Sequence, residues 1–393
     1  MEKNRVAVVR YTPGKKAVEK AISLCEGIKD LKPYHKVMIK PNVVLGGKVY
    51  KNLLKGVVTN TVILEELILF LKDFGCTDIC IGEGSVLLPD LGVDTATAFN
   101  YSGITELAKR YEVKLMDFYQ YPFESVTFEG KKVDISLPVL ESDYIINVPV
   151  LKTHNQTKVS LSIKNLKGVL SFKSKKSFHD LNLERYIALL GSYIQPQLNI
   201  VDGIYTVNNG PVSSDWQQVG IVLAGNDPLS VDVVGATILG FAPHDVGHLR
   251  EYADITGGSL DIDNLDIKGE PLESIHLETR WDEPWPEQIL KLHGIQGVSI
   301  PAPGQSLCSS CGFGIAMALH MFFREVPGQK FDKVEIRMSR DVKVSPGSKN
   351  VFLLGKCAIN ANKHIINAVK IKGCPPSIND CYNSFKEHMV IAT

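Results

Sequence analysis

Hydrophobic positions in the first half of the chain alternate between two spacings. Val6-Ala7-Val8-Val9, Lys36-Val37-Met38-Ile39-Lys40 and Asp78-Ile79-Cys80-Ile81-Gly82-Glu83 are short apolar runs that predict buried strands, the second ended by Pro41. Between them, Ala17 to Ile28 and Thr61 to Phe74 place apolar residues at helical spacing, and the second helix stops at Gly75. The rhythm continues through Val113-Lys114-Leu115-Met116, Tyr144 to Pro149, Leu198 to Val201 and Val219 to Leu223. Pro228 to Leu239 then predicts a helix closed by Gly240. Such alternation predicts an α/β fold, with a mostly parallel sheet flanked by helices.

The pattern changes after residue 255. Residues 255–305 are richer in Gly, Pro and acidic residues, and include Trp281-Asp282-Glu283-Pro284-Trp285-Pro286, which reads as a linker or inter-domain wrap. Beyond it the apolar segments shorten: a helix near Ile315–Phe323 and strands near Val334–Met338 and Val351–Leu354. A chain of 393 residues is expected to divide in two. The expected division is an α/β core domain with a ligand cleft at 1–295 and a small C-terminal α+β domain at 296–393. So small a module has a limited core, which a metal cluster would staple.

Composition narrows the class. Hydrophobic residues make up 44% and charged residues 22%, the profile of a globular protein. Lys+Arg and Asp+Glu are both 43, and zero net charge argues against a nucleic-acid partner. No apolar run of about 18 residues or more predicts a membrane span. The N-terminus enters a strand-like run without a secretory leader pattern, so a cytoplasmic protein is expected. Clustered cysteines in that compartment bind metal or do redox work.

Four cysteines near the C-terminus carry the most specific chemistry. Cys308-Ser309-Ser310-Cys311 is a C-x-x-C knuckle, Cys357 stands alone, and Cys374 lies in Gly373-Cys374-Pro375-Pro376. A C-x-x-C pair, a distant third cysteine and a fourth followed by proline form a candidate cage for a 4Fe–4S cluster. Zinc also takes four thiolates, usually from two C-x-x-C pairs. Only one such pair exists here, and sixteen residues separate Cys357 from Cys374. Cys381 reads as a spare thiol, and Cys25, Cys76 and Cys80 as small core residues.

The middle of the chain carries a second signal. Between Lys152 and Lys176 there are seven lysines and no acidic residue. This stretch directly follows the strand Tyr144 to Val148, and the loops leaving the carboxyl ends of parallel strands are where open sheets bind ligands. Leu161, Ile163 and Leu166 interleave the lysines, which suggests a half-buried element rather than a solvated face. Lys152, His154 and Lys164 are the candidate catalytic residues, able to hold an anion or move a proton. Lys40, Asn42, Asn165, Lys167, Asp202 and Asn209 are the candidate substrate-binding residues around them. His179 beside Asp180 reads first as a surface pair, with a second proton-transfer group as the alternative, and Asp227 reads as a helix cap, whereas Asp232 is placed to face the cleft. Neither GxGxxG nor a Walker A motif is present, and Gly82-Glu83-Gly84-Ser85 is too weak alone to imply phosphate binding.

Several of these motifs together resemble the family called domain of unknown function 362. They are Ile39-Lys40-Pro41-Asn42, Val148-Pro149-Val150-Leu151-Lys152-Thr153-His154, Ser162-Ile163-Lys164-Asn165-Leu166-Lys167-Gly168, Val201-Asp202-Gly203-Ile204, Asn209-Gly210-Pro211 and Leu223 to Pro228. The resemblance implies an iron–sulfur protein, since many members carry ferredoxin-type domains with paired clusters. This chain has cysteines for one cluster only, in a different tail, and Tyr205-Thr206-Val207-Asn208 is poorer in glycine than the family's loop. The family's core is also loosely similar to the N-terminal domain of nickel-pincer lactate racemases, a fold-level likeness.

The expected function is an iron–sulfur oxidoreductase of anaerobic metabolism. Electrons would pass from a ferredoxin-like donor through the cluster to a small anionic substrate or cofactor in the α/β cleft. A flavin is compatible but not required, and a homodimer is left open. The alternatives are a non-redox isomerase or racemase with a structural cluster, and a non-enzymatic electron carrier or assembly factor.

Overall fold

Residues alternate along each central strand between two buried faces. Val6 and Val8 enter one core with Met38 and Ile145, while Ala7 and Val9 enter the other with Val37, Ile39 and Ile146. Burial on both faces is what makes the strands read as continuous apolar runs. The computed structural model describes residues 3–275, 277–281, 285–302, 304–341, 343–345, 348 and 350–392. Two units are formed: Met1–Val86 with Val93–Trp281, and Leu87–Gly92 with Asp282–Thr393.

The first unit contains β1 (Arg5–Arg10), β2 (Lys36–Pro41), β3 (Asp78–Glu83), β4 (Lys114–Asp117), β5 (Phe123–Phe128), β6 (Lys131–Ser136), β7 (Tyr144–Val148), β8 (Lys152–His154), β9 (Lys158–Ser160), β10 (Leu198–Val207), β11 (Trp216–Gly225) and β12 (Asp266–Gly269). Eight of them make one sheet in the order β12-β1-β11-β10-β7-β2-β3-β4. Strand β11 runs antiparallel to both neighbours and every other pairing is parallel. The pairs β5–β6 and β8–β9 are separate antiparallel hairpins.

Helices cover both faces. Leu183–Ile194, Pro228–Ile238 and Gly247–Thr256 pack on one, and Ala17–Cys25 and Thr61–Phe74 on the other. Local capping sets where they begin and end. The Asn60 side chain accepts the Val62 N–H at 3.2 Å, and Gly75 closes that helix at φ 101. Asp227 accepts the Ser230 N–H at 2.8 Å with Pro228 at the first helical position, as the sequence predicted.

Two expectations about the first unit need correction. The strand predicted over Leu198–Val201 runs on to Val207, because its antiparallel partner keeps pairing as far as Val207 opposite Trp216, across a bulge at Gly203/Tyr205. Asp202 therefore lies inside a strand, not in a loop after one. Lys152 to His154 is likewise not an open loop but one arm of the β8–β9 hairpin.

The second unit is a four-stranded sheet of β13 (Gln296–Ser299), β14 (Lys330–Met338), β15 (Asn350–Leu354) and β16 (Val369–Ile371), in that order. All three pairings are parallel, so this unit is α/β and not α+β. Helices Ser309–Glu325 and Ile378–His388 pack Phe322, Phe323 and Phe385 against Phe331 and Phe352. The boundary also falls earlier than 295/296. Helix Trp285–His293 buries Ile289 in this second core, so its apolar stripe belongs to the unit that follows. Of the segment read as a linker, residues 282–284 lie outside the described residues. Among the described residues no helix is long and apolar enough to cross a membrane.

Candidate functional site

Lys40, the penultimate residue of β2, and Glu83, the last of β3, lie at the carboxyl edge of the sheet on adjacent parallel strands. Lys40 Nζ lies 2.7 Å from Glu83 Oε2 and donates to the Pro41 carbonyl at 2.7 Å and to Asn165 Oδ1 at 3.2 Å. Glu83 also accepts the Val43 N–H at 3.1 Å and the Gly84 N–H at 2.9 Å. Gly168 closes over this pair: a Cβ there would lie 2.1 Å from Glu83 Oε1 and 2.5 Å from Lys40 Nζ. Only glycine permits that approach.

The network extends through amides. Asn42 Nδ2 donates to Asn165 Oδ1 at 3.0 Å, and Asn42 Oδ1 accepts from Lys152 Nζ at 2.8 Å. Lys152 also donates to the Val57 carbonyl at 2.6 Å. Asn165 Nδ2 donates to Asn147 Oδ1 at 2.8 Å, and Asn147 to Asn199 Oδ1 at 3.0 Å. The structure thus brings Lys40, Asn42, Lys152 and Asn165 together. It adds Glu83, Asn147 and Asn199, which the sequence reading passed over. A lysine that keeps its charge when buried is best tolerated beside a carboxylate. Glu83, the last residue of a neighbouring strand, was the available signal.

Beside this network the cations outnumber their counter-charges. Burial pushes Lys152 down to about 7, with Glu83 opposing and Lys40 adding to the fall. Burial and then the charge of Lys152 push Lys164 down to about 7. His154 is held well below its ordinary value by burial first, then by Lys164, Lys152, Lys167 and His179. Its Nδ1 accepts the Gln156 N–H at 3.1 Å, which leaves the hydrogen of the neutral ring on Nε2. Lys167 Nζ and His179 Nε2 are 2.5 Å apart, and His179 is 5% exposed, so this histidine lies in the interior and not at the surface.

Lys164 sits on the short helix Ser162–Asn165, which Asp232 pins by accepting the Ser162 N–H at 2.7 Å and the Ile163 N–H at 2.9 Å. Asp232 was placed in the cleft by sequence, but its oxygens are used as a helix anchor. Burial pushes its carboxyl up to about 7. Part of the Lys164 side chain reaches solvent although its charge sits deep enough for burial to dominate its titration. Among the described residues its ammonium has no hydrogen-bond partner. On helix Gly247–Thr256, His248 is fully buried with neither ring nitrogen hydrogen-bonded among the described residues. Burial and then the Lys164 charge hold it down at about 3. Lys175 donates to Tyr119 Oη at 2.9 Å and to the Gly84 carbonyl, and burial pushes it down to about 8.

Two predicted residues stand apart. Asp202 accepts the Asn60 N–H at 2.7 Å and the Ile204 N–H at 3.0 Å, and burial pushes it up to about 6. It braces the start of helix Thr61–Phe74, not the lysines. Asn209, at φ 50, donates its backbone N–H to the Arg280 carbonyl at 2.9 Å. Its neighbour Gly210 donates to Thr153 Oγ1 at 2.9 Å, which ties this turn to β8. A cavity of about 620 Å³ lies elsewhere, beside Tyr144 and Gln197 at the amino ends of β7 and β10. Its Arg5 is already paired with Glu26 and Asp266.

In the second unit the four candidate ligands come from one sheet edge and one helix end. Leu354 and Ile371 are register partners at the ends of β15 and β16, and Cys357 and Cys374 each follow three residues later. The Lys356 N–H donates to the Gly373 carbonyl at 2.9 Å, tying those two turns together. Cys308 is the N-cap of helix Ser309–Glu325 and Cys311 lies in its first turn. A helix amino end favours thiolate. The Cys311 thiol is raised by its hydrogen bond with Cys308, by burial, and by the charges of Cys308, Cys374 and Cys357. The other three thiols thus act on Cys311 electrostatically, although among the described residues no three His, Cys, Asp or Glu stand in a ready-made metal-ligating arrangement. The donor set suits an iron–sulfur cluster and would also serve zinc. Cys381 is buried at 1% in helix Ile378–His388, where burial pushes its thiol up to about 12.

Comparison with known proteins places this arrangement in a wider set. The chain is 26% identical over 222 residues to the thylakoid-associated protein sll1697 of Synechocystis sp. (strain ATCC 27184 / PCC 6803 / Kazusa). That alignment covers 54% of this chain and 65% of the relative, so the chain spans just under two thirds of the relative's length. Among solved structures, the lactate racemase apoprotein from Thermoanaerobacterium thermosaccharolyticum aligns at 12% identity with a TM-score of 0.37, covering 60% of this chain and 57% of that one. The family described as "Domain of unknown function (DUF362)" matches residues 37–237, a span that takes in Lys40, Glu83, Lys152, Lys164 and Asp232, and the chain belongs to that family.

Proposed function

We propose that this protein is an iron–sulfur oxidoreductase. Its α/β unit would hold a small anion at Lys152, His154 and Lys164, and its C-terminal unit would carry a 4Fe–4S cluster on Cys308, Cys311, Cys357 and Cys374. The observation that supports the reading is the placement of the cysteines: Cys308 and Cys311 open one helix, and Cys357 and Cys374 each follow by three residues the register partners Leu354 and Ile371, in turns tied by the Lys356 N–H to the Gly373 carbonyl. When bound, the cluster supplies one-electron transfer. Cys308 and Cys311 would contribute their thiolates at the helix amino end, and Cys357 and Cys374 theirs from the tied turns. A ferredoxin-like protein is the proposed electron donor.

Within the α/β unit the residues bind and move protons. Lys40 and Glu83 neutralise each other, leaving the charges of Lys152 and Lys164 for a ligand. An anion beside them relieves their mutual repulsion and draws protons onto both amines. His154 offers its Nε2–H as a fixed donor. A lysine titrating near neutrality gives or takes a proton at working pH. That last property also suits the second reading, an isomerase in which these groups shuttle a proton and the metal centre only staples the tail.

Anaerobically purified protein should contain about four irons and matching sulfide per chain and give a reducible EPR signal. Cys374→Ala should abolish both. Zinc in place of iron, or turnover without any electron donor, would overturn the oxidoreductase reading.

A further inference from the structure

The hairpin that carries part of the candidate anion site is closed off from solvent. Lys152 is 1% and His154 6% exposed, so no ligand meets both while every covering element stays in place. Leu151, Val159 and Leu161 hold the hairpin in the main apolar core, which opens only at high cost. A second cover is a strap formed by residues 278–281. Trp281 Nε1 donates to the His154 carbonyl at 3.3 Å. The same indole lies 5.6 Å from Nζ of Lys158, the register partner of His154, so it contacts both arms of the hairpin. Its ring also meets that of Phe241 edge-on at 5.9 Å.

The neighbouring residue fastens this strap. The Arg280 N–H donates to Asn208 Oδ1 at 2.9 Å, and Arg280 Nη2 lies 3.1 Å and 2.9 Å from the two carboxylate oxygens of Asp215. That ion pair is weak by placement. Its side chains are 67% and 38% exposed, where water competes for each charge and salt screens the attraction. The closed strap also buries Thr279 Oγ1 without a hydrogen-bond partner among the described residues. A hydroxyl left unpaired in the closed position regains its hydrogen bonds to water when the strap lifts. The strap is thus the least firmly held cover on the hairpin.

We propose that residues 278–281 form a latch over the β8–β9 hairpin, with Arg280 and Asp215 as its clasp, which lifts to admit an anion to His154 and Lys152. The inference rests on the anion-site reading above and deepens it by naming how access to that site is controlled. Lids of this kind exclude water from a buried site and open to exchange its ligand. Lifting the latch breaks one ion pair and a few exposed hydrogen bonds and leaves the apolar core beneath the hairpin intact. Ionic strength therefore tunes access, because it weakens the clasp and not the core.

The test follows carbethoxylation of His154 by diethyl pyrocarbonate in the full-length protein, read by peptide mass mapping. Buried His248 and exposed His364 serve as internal references. Arg280→Gln and Asp215→Asn should each speed labelling of His154 roughly two- to fivefold, the range that an exposed ion pair commands. Sodium chloride should speed it in the wild-type chain and leave both variants unmoved. Inorganic phosphate at matched ionic strength should slow labelling in the opened variants. Unchanged labelling of His154 in both variants overturns the latch. An equal rise at His248 also overturns it, since the whole unit has then loosened. Faster labelling of His154 alone, with no protection by phosphate, leaves the latch standing and removes the anion reading.

Discussion

The ammonium of Lys40 stands 2.7 Å from the carboxylate of Glu83, with the two side chains 1% and 3% exposed. Each ion is costly alone in that setting, and each makes the other tolerable. Burial lowers the Lys40 titration point while Glu83 pulls it back up. Glu83→Gln, which leaves the lysine without its counter-charge, should cost about 3–5 kcal/mol in urea unfolding. The double variant Lys40→Met/Glu83→Leu should recover much of that loss. A single-variant cost below about 1 kcal/mol would show that Lys40 is neutral in the folded protein.

Stability should vary with pH in a direction set by the lysines. Lys152 and Lys164 titrate near 7 when folded and near 10.5 when unfolded, so between those values the unfolded chain holds more protons. Stability from these two groups therefore rises as pH climbs through that window, and below about pH 7 the full penalty of burying the charges applies. Asp202 and Asp232 act in the lower window. Their raised values mean that the folded state holds more protons there, so their contribution falls as pH rises from about 4 towards 7. Thermal melting across pH should show the alkaline gain, and Lys164→Met should flatten it.

Asp232 holds two backbone N–H groups at the start of the helix that carries Lys164. Asp232→Ala should cost about 2 kcal/mol, the upper end for losing a cap, since both donors are left buried. Anion binding, followed by calorimetry, should weaken along with it because the Lys164 backbone is no longer fixed. Unchanged affinity would separate the helix anchor from the site.

Cys381 and Cys374 should respond oppositely to replacement by alanine. Cys381 packs in the core of the second unit, so Cys381→Ala should leave metal content unchanged at a cost of about 1 kcal/mol. Cys374 is exposed and faces no comparable packing loss. Its alanine variant should lose metal while the metal-free chain keeps its melting temperature. Metal analysis alongside thermal melting of both variants reads the two effects independently.

Much of the architecture was legible because parallel strands buried on both faces announce themselves as apolar runs, and Gly75 and Asp227 mark helix ends by their own chemistry. What sequence misplaced depended on partners far along the chain. Asp202 was read as a post-strand loop because nothing local reveals that Trp216–Gly225 extends its pairing. Lys152 and Lys40 were visible as lysines after strands, but Glu83 was hidden in a short glycine-flanked turn. His248 lies past residue 237, on a helix with no distinctive motif, and only packing brings it into the field of Lys164.

Residues 87–92 belong to the second unit although the chain returns to the first at Val93. Leu88 is 2% exposed and Leu91 packs into the core formed by residues after 282, while Asp90 accepts the Ile378 N–H at 2.7 Å. A ribosome must therefore deliver almost three hundred further residues before this small loop finds its home. Expression of either half by a single cut in the gene would strand it: the amino-terminal product would display greasy side chains to solvent, and the carboxy-terminal product would lack part of its own interior. Anyone dividing this molecule for study must graft the loop onto the tail or keep the chain whole.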